Sequence, residues 1–201
     1  TIYDIPVFDL VEPALSAVGT IDTTIIFVSP YLALDAAKEA IAAGIRQIIL
    51  ISGGIPPLDM VHLLRIAEQT QTTILGPNSL GIIVPGKWLL GTHPEEFYTP
   101  GAVGLIGCSG SLTSEIALEL TQAGFGQSMA VCIGSDSIVG SSLPQWLQIL
   151  DKDKNTKAVV VVGEIGDRNE QTLAEYIVEK MAKPVVAYIA GRHTPDFKHQ
   201  D

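Results

Sequence analysis

A strand–turn–helix segment over residues 103–115 constrains the fold more than any other feature of this sequence. Its apolar run, Val103–Ile106, has the length of a strand, and a helical pattern begins directly after the small residues that follow. Backbone N–H groups at a helix start point away from the helix, and the helix dipole adds partial positive charge there. Ser109, Gly110 and Ser111 allow close approach and offer hydroxyl donors. We therefore predict that this turn binds a phosphate, a carboxylate or a thioester oxygen.

Apolar runs and helical patterns alternate along the rest of the chain as well. The runs are continuously apolar, so each strand is expected to be buried on both faces, which predicts an α/β fold with parallel sheets covered by helices. One helix has its own start signal, Ser142-x-x-Gln145 with Pro144 in the first turn. The predicted strands are Ile25–Val28, Gln47–Ile51, Thr73–Leu75, Val103–Ile106, Met129–Ile133, Ala158–Val162 and Val185–Ile189.

The alternation lapses between residues 81 and 100, where Gly and Pro are frequent. Such a stretch is typical of a connection between domains. We therefore predict that residues 1–80 and 101–201 form separate units joined by residues 81–100. His93 lies in the connection and His62 in a preceding helical segment, and we interpret both as ordinary surface or helix histidines.

Composition and charge exclude several classes of protein. With 201 residues, 47% of them hydrophobic, and a mean hydropathy of +0.34, the chain can bury a substantial core. Its formal net charge of −10 argues against nucleic acid and anionic membranes as partners. No apolar run is long enough to cross a bilayer, and no secretory signal is evident at the start. Cys108 and Cys132 follow or end predicted strands, which suits thiols in a reducing compartment, so we expect a cytoplasmic protein.

Ligands of parallel sheets bind at the carboxyl ends of the strands. In this sequence small residues follow nearly every predicted strand, and Glu164 follows the run that ends at Val162. A carboxylate at that rim can orient an imidazole or accept a proton. Small residues also suit any strand-to-helix turn, and a solvated glutamate is equally compatible with the position of Glu164.

Five segments, in their order and spacing, resemble the α subunit of succinyl-CoA synthetase, the succinate–CoA ligase of the NDP-forming acyl-CoA synthetase superfamily, which also includes ATP-citrate lyase. The segments are Gly54-Ile55-Pro56-x-x-Asp59-Met60, Gly76-Pro77-Asn78, Ser109-Gly110-Ser111-Leu112-Thr113, Gly124-Phe125-Gly126-Gln127-Ser128 and Gly163-Glu164-Ile165-Gly166. The resemblance implies an incomplete Rossmann-like CoA-binding domain in residues 1–80 and a flavodoxin-like CoA-ligase domain in residues 101–201.

The same resemblance implies an activity. Acyl-CoA, phosphate and a nucleoside diphosphate are interconverted with a carboxylic acid, CoA and a nucleoside triphosphate through a phosphohistidine, with succinate as the default acid. The Mg-nucleotide, ADP/ATP or GDP/GTP, binds to a β subunit that carries an ATP-grasp domain. If the protein comes from a eukaryote, the resemblance implies that it is located in the mitochondrial matrix and not in the cytoplasm.

The resemblance also assigns roles to individual residues. Ser109, Gly110 and Ser111 would cradle the phosphohistidine, and Glu164 would hold its imidazole. Ser114 stands where the family has a tyrosine that helps to hold the acid. The residues implied to line the CoA site are Ser29, Pro30, Ile51, Ser52 and Gly53.

Several positions depart from the family pattern. Gly53 replaces an acidic residue, Cys108 replaces an arginine, and Ser114 replaces the tyrosine, so the identity of the acid stays open. The family's Gly-rich CoA-phosphate loop would lie upstream of Thr1, and its Gly-His-Ala-Gly segment would lie beyond Asp201, since neither His193 nor His199 has those neighbours. We therefore expect the sequence to be a portion of a longer protein that does not turn over alone.

Other functions remain to be compared with this one. A diverged, non-catalytic α-like subunit that binds CoA or a β-type partner is the main alternative. A serine hydrolase is disfavoured because Ser111 occupies the final glycine position of a nucleophile elbow. No cluster of His, Cys, Asp and Glu has metal-ligand spacing, and no G-x-G-x-x-G stands where a nicotinamide dehydrogenase needs it.

Overall fold

In the computed structural model, which describes residues 1–164 and 169–191, two β-sheets follow one another along the chain. The first sheet has three parallel strands in sequential order: β1 (Thr23–Ile26), β2 (Gln47–Leu50) and β3 (Thr73–Leu75). The helices of this part are α1 (Val11–Val18), α2 (Ala33–Ala42) and α3 (Pro57–Thr70), with a short 3-10 turn over Pro30–Leu32. This arrangement confirms the predicted order of strands and helices from β1 to β3, whereas α1 is a helix that the sequence pattern did not predict.

The second sheet has six strands. They are β4 (Gly81–Val84), β5 (Trp88–Gly91), β6 (Pro100–Gly107), β7 (Gln127–Cys132), β8 (Ala158–Glu164) and β9 (Val185–Ala190). The helices are α4 (Gly110–Gln122), α5 (Leu143–Lys152) and α6 (Asn169–Lys180), and a 3-10 turn covers Glu95–Phe97. The spatial order is β5-β4-β7-β6-β8-β9, with β6 to β9 parallel and β4 antiparallel to both neighbours. The parallel part thus has the order 2-1-3-4, which is that of a flavodoxin-like sheet.

The strands β4 and β5 correct the expectation of an irregular stretch between residues 81 and 100. They form an antiparallel hairpin, and β4 also pairs with β7. Each strand has only four residues and is bordered by glycines and prolines, so its local pattern is weak. Residues 81–91 therefore belong to the second sheet, while the division at residues 80 and 101 stays a prediction.

The two sheets share a hydrophobic core. Alternate residues of β2 point to opposite faces, so Ile48 packs with α2 and α3 whereas Ile49 packs with residues of the second part of the chain. Leu75 of β3 joins Ile49 against Trp146 and Leu147 of α5. Burial on both faces explains why these strands are continuously apolar. Within the described residues, no helix is long and apolar enough to cross a membrane.

Candidate functional site

The carboxyl ends of β6 and β8 form the centre of the candidate site. The chain leaves β6 for β7 on one side, while β8 lies on the other side, so the strand order reverses between β6 and β8. Such a switch point opens a crevice at the carboxyl end of a parallel sheet. Gly107 is the register partner of Val162, and the Cys108 N–H donates to the Val162 carbonyl at 3.4 Å. Ser109 and Glu164 each lie two residues beyond that pair and therefore stand on neighbouring strand ends.

The turn between β6 and α4 has the features that an anion requires. Ser109 is the N-cap residue, and its carbonyl accepts the Thr113 N–H at 3.0 Å and the Thr113 hydroxyl at 2.6 Å. In the part of the chain that the structure describes, the Ser109 hydroxyl caps no N–H group of the helix, and the first turn holds no acidic residue. The N–H groups of Gly110 and Ser111 therefore stay available, as at any helix start. Ser111 is exposed, and Ser109 and Gly110 are half-buried.

Gly110 packs closely against Leu80. A Cβ atom at this position would lie 3.0 Å from the Leu80 side chain, which is tighter than ordinary van der Waals contact. Leu80 precedes β4, so the segment that leads into the second sheet lies against the first turn of α4. This contact places residues 78–81 at the edge of the crevice.

The residues predicted to line the CoA site lie at the carboxyl ends of β1 and β2, and hydrogen bonds hold these loops together. The Ser52 hydroxyl donates to the Val28 carbonyl, next to the exposed Ser29. The Asn78 N–H, in the loop after β3, donates to the Ser52 carbonyl at 3.1 Å. Gly53 leaves room for Asn78, since a Cβ at Gly53 would lie 2.8 Å from the Asn78 side chain. The structure thus brings all three loops of the first sheet together, with Pro30 and Ile51 half-buried beside them.

Two contacts join these loops to the loop between β7 and α5. The Gly54 N–H donates to Asp136 Oδ2 at 2.7 Å, and Asn78 Nδ2 donates to the Ser135 hydroxyl at 2.8 Å. A cavity of about 460 Å³ opens between the loops. It is lined by Gly54, Ile55, Pro57, Met60, Ser135, Asp136, Ser137 and Ile138. Sequence reasoning did not single out Asp136 as a functional residue, because its partner is 82 residues away in the chain.

Ser114 lies in the second turn of α4 and is 8% exposed. The buried Tyr98 hydroxyl lies 2.7 Å from Nδ1 of His93, whose Nε2 lies 3.0 Å from the Gly81 carbonyl. His93 is 3% exposed, so its interpretation as a surface or helix histidine is wrong. Burial lowers the pKa of His93 to about 4, and burial raises the pKa of Tyr98, so both side chains are neutral at pH 7.

Some predicted features lie outside the described residues. Glu164 is described and exposed, but Ile165, Gly166, His193 and His199 are not among the described positions. Within residues 1–164 and 169–191, no three His, Cys, Asp or Glu side chains come together as metal ligands would. At the carboxyl ends of β6 and β8 the described groups include the Glu164 carboxylate, the start of α4 and the hydroxyls of Ser109 and Ser111.

Comparison with known proteins identifies relatives over nearly the whole chain. A CoA-binding domain model matches residues 1–54, and a CoA-ligase model matches residues 106–200. Succinate–CoA ligase [ADP-forming] subunit alpha 2 of Archaeoglobus fulgidus is 44% identical over 194 residues, which cover 96% of this chain and 67% of the relative. The malate–CoA ligase α subunit of Methylorubrum extorquens is 41% identical, over 95% of this chain and 66% of the relative. A subunit of the ADP-forming sulfoacetate–CoA ligase of an Acholeplasma species is 37% identical, over 95% of this chain and 66% of the relative.

Solved structures share the fold. ATP citrate lyase of Methanosaeta concilii, in complex with (3S)-citryl-CoA, matches with a TM-score of 0.86 and 24% identity over 97% of this chain and 34% of the other. An acetyl-coenzyme A synthetase of Ca. Korarchaeum cryptofilum matches with a TM-score of 0.81 and 21% identity over 96% of this chain and 42% of the other. The same succession of two sheets therefore occurs in both proteins.

Proposed function

Because this chain belongs to the family of the α subunits of NDP-forming acyl-CoA ligases, we propose that it forms the CoA- and phosphate-handling part of such a ligase. The complete enzyme interconverts acyl-CoA, phosphate and a nucleoside diphosphate with a carboxylic acid, CoA and a nucleoside triphosphate. The chain spans about two thirds of the length of the relatives named above.

One observation carries the assignment of the reacting centre. The start of α4 and Glu164 occupy neighbouring strand ends at the switch point of the second sheet. The helix start favours a phosphoryl group through its N–H groups and the Ser109 and Ser111 hydroxyls. The carboxylate of Glu164 accepts a hydrogen bond from an imidazole and holds it in one orientation. A phosphohistidine fits this pair, because it combines the anionic group and the imidazole in one side chain.

CoA suits the loops of the first sheet. Ser29 is exposed at the end of β1 and is free to face a ligand, whereas Ser52 holds the loops together through Val28. We assign Ser29, Pro30 and Ile51 to contact with CoA, and Ser52 and Gly53 to the shape of the loop. The match of residues 1–54 to a CoA-binding domain model supports this assignment.

The acid is proposed to carry a second anionic group. Succinate, malate and sulfoacetate, the acids in the names of the relatives, each have a carboxylate and a further acidic group. Succinate remains the acid that we assign by default. Ser114 stands where the family has a tyrosine that helps to hold the acid. This difference is a reason to test the three acids side by side.

The nucleotide is assigned to a partner. The relatives are named as α subunits, which implies a β subunit. We propose that the β subunit binds Mg-ADP or Mg-GDP in an ATP-grasp domain and receives the phosphoryl group from the histidine.

The proposal is tested by phosphorylation of the full-length protein co-expressed with its β partner. Incubation with Mg-ATP and with Mg-GTP, each labelled at the γ-phosphate, is expected to place an acid-labile, base-stable label on this subunit. A folded complex that binds CoA but takes up no label from either nucleotide would contradict the proposal and indicate a non-catalytic α-like subunit.

Glu164→Gln tests the reacting centre within the same complex. The amide keeps the size of the side chain but removes the negative charge, so we expect phosphohistidine formation to fall by about tenfold or more while the Kd for CoA stays unchanged. Glu175→Gln, an exposed change on α6, is the matched control and should label like the wild type. Normal labelling of the Glu164 variant would remove this carboxylate from the mechanism.

A further inference from the structure

Thr113 places a fully buried hydroxyl beneath the turn that joins β6 to α4. The residue is 0% exposed, and its hydroxyl donates to the Ser109 carbonyl at 2.6 Å. The Thr113 N–H donates to the same carbonyl at 3.0 Å, so this oxygen accepts two hydrogen bonds from one residue. Threonine hydroxyls inside helices often donate to the carbonyl four residues earlier. Here that carbonyl belongs to the N-cap residue, so the bond acts on the peptide at the start of the helix.

The space that the Thr113 hydroxyl occupies is left by Gly107, the last residue of β6. A Cβ atom at Gly107 would lie 2.1 Å from Thr113 Oγ1, far closer than van der Waals contact permits. The strands β7 and β8 hold Gly107 on both sides, through its register partners Cys132 and Val162. The hydroxyl therefore lies between a fixed strand end and the Ser109 carbonyl, and both neighbours restrict its movement.

The geometry of the peptide unit links this carbonyl to an N–H group at the helix start. The bond between Ser109 and Gly110 is trans, and in a planar trans peptide the C=O and the N–H point in opposite directions. Fixing the Ser109 carbonyl along α4 therefore fixes the Gly110 N–H away from the helix, at the carboxyl end of the sheet. Two donors on one carbonyl also polarise the peptide, which makes its N–H a stronger donor.

We propose that Thr113 is a positioning residue for phosphate, whose hydroxyl holds the Ser109–Gly110 peptide so that the Gly110 N–H points at the phosphoryl group. This inference rests on the proposed function, because it concerns the same turn. Thr113 is buried beneath the turn and acts only through this peptide. Loss of its hydroxyl should therefore affect phosphate, which uses the helix start, and spare CoA, which is assigned to the loops of the first sheet.

The test is steady-state kinetics of the full-length protein with its β partner, with the acyl-CoA that the wild-type complex consumes. Thr113→Val keeps the branched shape and removes the hydroxyl, while the N–H of residue 113 still holds the first turn of the helix. We expect it to raise the KM for phosphate about fivefold and to leave the KM for CoA in the reverse reaction unchanged. Thr113→Ala removes the same hydroxyl without crowding the Ser109 carbonyl, and it should have the same effect on KM.

A conservative variant separates positioning from stability. Thr113→Ser keeps the hydroxyl but loses a buried methyl group, so it should lower the free energy of unfolding while its KM for phosphate stays close to that of the wild type. Thr156→Val is the matched control for the valine variant. Thr156 is also 0% exposed and its hydroxyl donates to Asp153 Oδ2 at 2.7 Å, but it precedes the amino end of β8, away from the crevice.

Several results would overturn this inference. One is an unchanged KM for phosphate in a folded variant that lacks the Thr113 hydroxyl. Another is an equal rise of this KM in Thr113→Ser or in Thr156→Val, since either indicates a general loss of packing. Failure of both hydroxyl-free variants to fold assigns the hydroxyl to the fold and overturns the inference too. Lack of phosphate-dependent turnover by the wild-type complex overturns the proposed function first, and this inference with it.

Discussion

A histidine buried in its neutral form makes stability depend on pH. His93 is 3% exposed, and burial lowers its pKa in the folded protein to about 4, against 6.5 for an exposed imidazole. Below pH 6.5 the unfolded chain therefore binds a proton that the folded chain does not bind. The contribution is fully favourable above pH 6.5 and is lost progressively as the pH falls toward about 4.

We expect this loss to amount to about 3 kcal/mol of the free energy of unfolding between pH 6.5 and pH 4. Replacing His93 by Gln should remove that part of the pH dependence, although it lowers stability at pH 7. The measurement is denaturant-induced unfolding of wild type and variant across this range. His62→Gln, which changes an exposed imidazole, is the control and should keep the wild-type slope. Parallel pH profiles for wild type and the His93 variant would contradict the assignment.

At the scale of the element, α5 shows how a local signal determines a helix start. The helix begins at Leu143, and the Ser142 N–H donates to Gln145 Oε1 at 2.8 Å, as the Ser142-x-x-Gln145 pattern predicts. The buried side of α5 consists of Leu143, Trp146, Leu147 and Leu150, the spacing of one helix face. Both features can be predicted from the sequence because all the residues involved lie within one short segment.

Gln145→Ala should lower the free energy of unfolding by about 1 kcal/mol, because the N–H of Ser142 loses its acceptor. Thermal or chemical unfolding monitored by circular dichroism measures the change. Gln148→Ala, an exposed substitution on the same helix, should have little effect and controls for helix propensity. Equal effects of the two changes would show that the start signal contributes nothing.

Features formed by residues that lie far apart in the chain are harder to predict from the sequence than local ones. The strands of the parallel sheets, and the positions of Ser109 and Glu164 at the carboxyl-end edge, follow from local patterns together with the rules of parallel sheets, whereas the adjacency of β6 and β8 is a finding of the structure. The hairpin of β4 and β5 does not follow from local patterns, because its short strands depend on pairing with β7, whose partner residues lie 47 to 51 positions further on. The contacts of Asp136 with Gly54 and of His93 with the Gly81 carbonyl likewise bring together residues with no shared local pattern.

At the scale of the whole molecule, Asp136 is the described carboxylate that connects the second sheet to the loops assigned to CoA. Its hydrogen bond to the Gly54 N–H, at 2.7 Å, is charge-assisted, so its loss should release the loop after β2. We expect Asp136→Ala to raise the KM for CoA about tenfold, and Asp136→Asn, which keeps an acceptor oxygen, to have a smaller effect.

Kinetics of the complete ligase with CoA as the varied substrate checks this expectation. Asp151→Ala is the control, since the Asp151 carboxylate also accepts backbone N–H groups, of Ala182 and Lys183, but on a different side of the second sheet. The control should leave the KM for CoA unchanged. If both aspartate variants raise it equally, the loop contact of Asp136 has no special role.

The hairpin of β4 and β5 has a consequence for dividing the protein into fragments. Because β4 pairs with β7, a fragment that starts at Gly101 would leave the backbone N–H and C=O groups along one side of β7 without their neighbour. An unprotected strand of this kind recruits strands from other molecules, and Ile82, Ile83 and Leu90 would no longer cover the apolar side chains beneath them. Any fragment that includes β7 should therefore begin before Gly81, so that β4 and β5 keep their places beside it.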